Sequence, residues 1–131
     1  MCIRDSLNSI RTSHYAPLPA LLDAADQEGI YVEDEGSFCW CYASDDLGLT
    51  PRILQMESEL LARDRNHPSV FIWSVANESS WGFGLQRAHE WIRKSDPTRP
   101  DGGSWSDHTI EFEIKHNPIS MACLLYTSRC V

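Results

Sequence analysis

The sequence predicts a parallel α/β fold, and three features of it carry that prediction. Val70 to Val75 is a nearly unbroken apolar run, bounded by His67-Pro68-Ser69 before it and Asn77-Glu78 after it. An apolar run with turn signals on both sides suits a strand buried on both faces, as in a parallel sheet. Segments of helical periodicity alternate with short strand-like segments along the chain, which is the order of a parallel βα architecture. An amide and a carboxylate, Asn77 and Glu78, directly follow the apolar run. They would sit at the C-terminal end of its strand, where parallel barrels and open sheets build their sites. The pattern alone leaves a plainer reading equally open, in which the two residues end the strand and cap the segment after it.

Taken in order, Asn8 to Tyr15 reads as a strand running into a loop, with Ile10 as its apolar position. Arg11 and His14 are polar for a buried strand, and each also suits a surface or internally satisfied side chain. Pro17 to Glu28 reads as a helix whose prolines, Pro17 and Pro19, lie at or before the first turn, where a missing N–H costs little. Leu18, Leu21, Leu22 and Ala25 give it one apolar face, and Gly29 suits its C-terminal stop. Ile30-Tyr31-Val32 opens the next strand, which runs into Glu33-Asp34-Glu35; three acids in a row suit a solvated turn or a cation site. Gly36 to Leu49 is a loop made aromatic by Phe38, Trp40 and Tyr42.

Thr50 is placed as the N-cap of the next helix, with Pro51 at its first position. Ile53, Met56 and Leu60 form its apolar stripe up to Arg63, and Glu57 and Glu59 are expected to face outward. After the central strand, Ser79 to Gly84 is a flexible aromatic loop. Leu85, Ala88, Trp91 and Ile92 mark a further helix ending at Asp96-Pro97-Thr98-Arg99-Pro100. Asp101 to Ser106 is a weak strand signal, and the alternation of Ile110 to Lys115 is a half-buried strand signal. There is no internal repeat.

At 131 residues the chain is one domain at most, long enough to bury a core. A formal charge of −8 and the lack of a basic run argue against a nucleic-acid surface. No apolar stretch is long enough to span a bilayer, so no membrane partner is expected. Of five cysteines, Cys2, Cys123 and Cys130 lie near the ends, and Cys39 and Cys41 flank Trp40 without the spacing of a zinc knuckle. Free thiols are the favoured reading. A metal hydrolase built on His14, His67 and His89 is a weak alternative, because His67 falls at the opposite end of its strand from Glu78.

Two long motifs carry a family resemblance. Asp64-Arg65-Asn66-His67-Pro68-Ser69, then Val70 to Ser74, then Asn77-Glu78, resembles the acid/base signature of glycoside hydrolase family 2, the family of β-galactosidases and β-glucuronidases. Asn8-Ser9-Ile10-Arg11-Thr12-Ser13-His14-Tyr15, continuing through Asp26, Gly29 and Ile30-Tyr31-Val32, resembles the other signature of that family. Asp96 to Pro100 is similar to it as well. Together the likeness covers roughly residues 7 to 119, with Ala16 standing where the family usually has proline and Glu33 where it has an apolar residue.

The resemblance implies a partial (β/α)8 TIM barrel, roughly its second to sixth strands, since a complete barrel typically needs about 250 residues. It implies a retaining, exo-acting glycosidase acting on a β-glycoside. Glu78 would be the general acid/base, and Asn77 and His14 would contact the sugar. Arg11 would support the nucleophilic carboxylate, with Asp34 and Glu35 beside the active site. The nucleophile is a glutamate lying beyond residue 119, and neither Glu111 nor Glu113 is promoted to that role. Related galactosidases place magnesium ligands where Cys39 and Cys41 stand here, so neither metal nor cofactor is expected. The aromatic loop is a wall of a sugar pocket or ordinary packing over the barrel mouth. Residues 1–6 and 122–131 resemble translated sequencing-adaptor junctions and read as non-native, leaving 7–121 as the barrel segment. The rival reading is a non-catalytic carbohydrate-binding relative on the same scaffold. The sugar, the localisation and any homo-oligomer of the full-length enzyme are left open.

Overall fold

The structure, a computed structural model, describes residues 8–42 and 45–102. Four strands, β1 (Ser9–Arg11), β2 (Tyr31–Glu35), β3 (Val70–Ser74) and β4 (Asp101–Gly102), alternate with three helices, α1 (Pro19–Glu28), α2 (Thr50–Asp64) and α3 (Phe83–Ser95). Every pairing is parallel, and the order across the sheet is the order along the chain, β1-β2-β3-β4. That winding follows the arc of a (β/α)8 barrel, whereas a doubly wound sheet would reverse direction at a switch point. Among the described residues the sheet is open, as an arc of a barrel is. The expected strand at Ile110–Lys115 lies outside the described residues. So do Glu111, Glu113, Cys2, Cys123, Cys130, the sequence ends and all but Asp101–Gly102 of the expected strand from Asp101 to Ser106.

The core lies between the sheet and the helices. Leu22 and Ala25 of α1, Ile53, Leu60 and Leu61 of α2, and Leu85, Ala88 and Ile92 of α3 pack with Val32, Val70, Trp73 and Val75. Burying each larger side chain contributes about 1.5–3 kcal/mol, so this layer supplies most of the cohesion. Asp96 ties the end of α3 to the sheet. It accepts hydrogen bonds from Trp73 Nε1 (3.0 Å) and Arg99 Nη1 (2.6 Å), while Arg99 Nε donates to the Val70 carbonyl (2.7 Å). At the N-terminal end of β3, Asp26 of α1 contacts His67 Nδ1 (2.7 Å) and accepts from the Ser69 amide (2.9 Å).

Helix boundaries and faces differ from expectation in three places. α1 begins at Pro19, and it buries Leu22 and Ala25 while Leu18 and Leu21 stay exposed. Leu18 precedes the first helical turn, and Leu21 is rotated about 100° from Leu22, away from the sheet. Gly29 ends the helix at φ +70°, the left-handed conformation that favours glycine. Thr50 is the first residue of α2 rather than its cap; Leu49 holds the cap position and makes no side-chain capping bond. Glu57 is buried at 1% exposure, not outward, whereas Glu59 is exposed as expected. The buried face of α2 runs Ile53, Glu57, Leu60, Leu61 and Asp64, a helical stripe that includes two acids.

Candidate active site

Parallel alternation puts Glu33 and Glu35 on one face of β2 and Asp34 on the other. Register then aligns Arg11 with Glu33 and Glu35 with Ser74, so polar side chains from three strands meet at their C-terminal ends. Glu35 is fully buried, and its charge is met from several sides. Arg11 Nε donates to Oε2 at 2.6 Å, and Arg11 Nη2 also pairs with that oxygen. Ser74 Oγ donates to Oε2 (2.9 Å), His14 Nδ1 lies 3.3 Å from Oε1, and the Glu35 amide donates to Thr12 Oγ1 (2.9 Å). A buried carboxylate is tolerable only with partners of this kind. Arg11 Nη2 also donates to Asn77 Oδ1 at 3.0 Å. Arg11, His14, Glu35 and Asn77 are therefore one hydrogen-bonded unit.

Glu78 stands at the rim of that unit. The chain after β2 keeps pairing with the chain after β3. Asn77 donates its amide to the Phe38 carbonyl (2.7 Å), the Trp40 amide donates to the Asn77 carbonyl (3.0 Å), and Cys39 forms a parallel bridge with Asn77. Trp40 (φ +54°) and Glu78 (φ +44°) both turn into the left-handed region, rare for such residues. The turn throws the Glu78 side chain outward, so it is exposed. Its Oε2 accepts a 2.6 Å hydrogen bond from Trp40 Nε1. Cys39 Sγ lies 3.4 Å from Asn77 Nδ2, and the Cys41 amide donates to Ser79 Oγ (2.9 Å).

Asp34 is not brought to this unit. It faces α2, fully buried, beside Asp64 and near Glu57. Burial first, and the neighbouring Asp64 carboxylate second, push Asp34 up to about 8, against the opposing pull of Arg63. Burial followed by the charges of Asp34 and Glu35 holds the Glu57 carboxyl well above its usual range. Glu33 is raised chiefly by burial, with Arg11 opposing. Asp64 is gripped by the neighbouring guanidinium, Arg63 donating at 2.6 and 2.5 Å and also to the Pro17 carbonyl at 2.9 Å.

The three histidines among the described residues go to three different acids: His14 to Glu35, His67 to Asp26, and His89 to Asp101. They do not converge, and among the described residues there is no group of three or more His, Cys, Asp or Glu placed to hold a metal ion. Sequence reasoning missed Thr12, Ser74 and Glu57. The position of Glu57 four residues after Ile53 and four before Leu61 was the available signal.

The family description "Glycosyl hydrolases family 2, TIM barrel domain" matches residues 3–114. The chain belongs to glycoside hydrolase family 2. Among relatives, a β-galactosidase of Psychromonas ingrahamii is 36% identical over 103 residues, 74% of this chain and 10% of that protein. One of Pectobacterium atrosepticum is 38% identical over 101 residues, 72% of this chain and 10% of its own length. Among solved structures, a β-glucuronidase of an uncultured Clostridium sp. superposes with a TM-score of 0.66 at 33% identity. It covers 73% of this chain and 19% of that one. The β-D-glucuronidase of Dictyoglomus thermophilum gives 0.64 at 38% identity, with the same coverages. The chain thus spans about a tenth of the length of the curated family 2 relatives it matches. No helix among its described residues is long and apolar enough to cross a membrane.

Proposed function

We propose that residues 7–121 are the acid/base-bearing segment of a retaining, exo-acting family 2 glycosidase that hydrolyses β-galactoside- or β-glucuronide-like bonds. The flanking ends are non-native in this reading. The observation that supports it best is the unit of Arg11, His14, Glu35 and Asn77 at the C-terminal strand ends, with Glu78 at its rim.

Retaining hydrolysis needs two carboxyl groups about 5–5.5 Å apart, one as nucleophile and one as acid and then base. Glu78 is the acid/base: it protonates the glycosidic oxygen as that bond breaks, then takes a proton from the attacking water. The nucleophile belongs to a later strand. Arg11, fixed by Glu35, supplies the positive charge that supports it in this reading. Asn77, held by Arg11 through Oδ1, offers its amide N–H to a sugar hydroxyl near the reacting carbon, a contact that strengthens in the transition state. His14, held by Glu35 and less buried than it, contacts the sugar in this reading. No metal takes part, since Cys39 and Cys41 occupy the positions of ligands in metal-using relatives.

The deciding experiment is Glu78→Gln in the complete enzyme. Turnover of glycosides with poor leaving groups should fall by at least about 10²-fold, while activated aryl glycosides suffer less in the first step. Equal, small losses on both would reject the assignment. A non-catalytic carbohydrate binder would show no turnover for Glu78→Gln to abolish.

A further inference from the structure

We infer that Trp40 is a positioning residue for the acid/base Glu78 and that its exposed ring is the platform for a ring-bearing leaving group; this rests on the acid/base reading of Glu78.

Two observations carry it. The first is the 2.6 Å hydrogen bond from Trp40 Nε1 to Glu78 Oε2. In a carboxylic acid the carbonyl oxygen is the good acceptor, and the oxygen that carries the proton is the poor one. An indole N–H, which only donates, therefore holds Oε2 as the carbonyl and assigns the acid's proton to Oε1. In the first step that proton passes from Oε1 to the glycosidic oxygen, which takes the electron pair of the breaking C–O bond. The anomeric carbon is captured by the family's second carboxylate, and Glu78 is left as a carboxylate still bonded to Trp40 through Oε2.

The second observation is that Trp40 is 61% exposed, although its amide is held by the Asn77 carbonyl and the residue before it, Cys39, is bridged to Asn77. A left-handed tryptophan in the open is a strained and apolar placement that persists only when its surroundings hold it. Here the bridge between Cys39 and Asn77 does so. The result is an aromatic face next to the oxygen that meets the leaving group, the geometry needed to stack a flat or cyclic aglycone.

The experiment compares Trp40→Phe, Trp40→Ala and Glu78→Gln in the complete enzyme, on methyl and aryl glycosides of one sugar. Trp40→Phe keeps a ring and loses the N–H. It should lower kcat about tenfold on the methyl glycoside, far less on an activated aryl glycoside, and leave KM within about twofold. Trp40→Ala should add a rise in KM of about three- to tenfold for the aryl substrate alone. If Glu78→Gln shows its loss but Trp40→Phe turns over both substrates at the wild-type rate, or slows both equally, the positioning role is overturned. If Trp40→Ala leaves the aryl KM unchanged, the platform role is overturned. Wild-type turnover in Glu78→Gln would instead reject the acid/base reading on which both depend.

Discussion

The carboxyl group of Glu57 fills the space that a side chain on Gly36 would need. A Cβ at that glycine would run into Glu57 Oε1 and Cδ, and would come within 2.9 Å of the Val75 carbonyl oxygen. A helix residue, the turn after β2 and the end of β3 thus meet in one notch close to Glu35. The position requires glycine for lack of room, not for its φ.

Gly36→Ala should therefore destabilise the barrel by about 1–3 kcal/mol, the range for overpacking a filled interior. Denaturant unfolding would measure it. Adding Glu57→Ala should recover only part of the loss, because the Val75 carbonyl is backbone and cannot swing aside. Full recovery would mean that Glu57 alone sets the glycine requirement.

Glu57 and Asp34 should make stability fall as pH rises. Both are raised in the folded protein, Asp34 to about 8, whereas their unfolded values are those of ordinary carboxyls. The folded state thus keeps protons that the unfolded state has released, and stability declines from about pH 4 toward 8. Glu57→Gln removes one of the two ionisations. The melting temperature of that variant should match wild type near pH 4 and exceed it near pH 8. A constant difference across that range would show that Glu57 does not ionise differently in the two states.

Arg11→Met should cost about 2–3 kcal/mol, because it strands the buried Glu35 carboxylate. The value sits below the range for a fully buried pair, since Arg11 is about a quarter exposed. Glu35→Gln in the same background should restore part of the loss, as an uncharged amide tolerates the site better. Urea titrations of the single and double variants provide the comparison.

The proposed mechanism uses no metal, so exhaustive chelation should leave activity of the complete enzyme unchanged. A large loss reversed by magnesium alone would show that other residues supply a metal site.

The sheet and the cluster at its rim were legible in the sequence to different depths. Val70–Ser74 stood out because burial on both faces demands an unbroken apolar run, and Asn77-Glu78 stood out because polar groups end it abruptly. The joining of Arg11 to Glu35 and Asn77 is a matter of register between strands, which one-dimensional periodicity does not encode. Glu57 was misplaced because a reading by apolarity assigns any acid to the outer face of a helix, even one spaced with Ile53 and Leu61. Trp40 was legible as one aromatic of the loop over the strand ends but not as a partner of Glu78, since that contact depends on two left-handed turns.

The winding of the sheet bears on how the rim comes into being. Each strand from β1 to β4 joins the edge left by the one made just before it. Assembly can then advance unit by unit as the nascent chain emerges, with every new pairing closing a loop no longer than one unit. The Arg11–Asn77 hydrogen bond is different, for it joins residues 66 positions apart. It forms only after both intervening units have docked, so its appearance would clock the completion of three strands during synthesis.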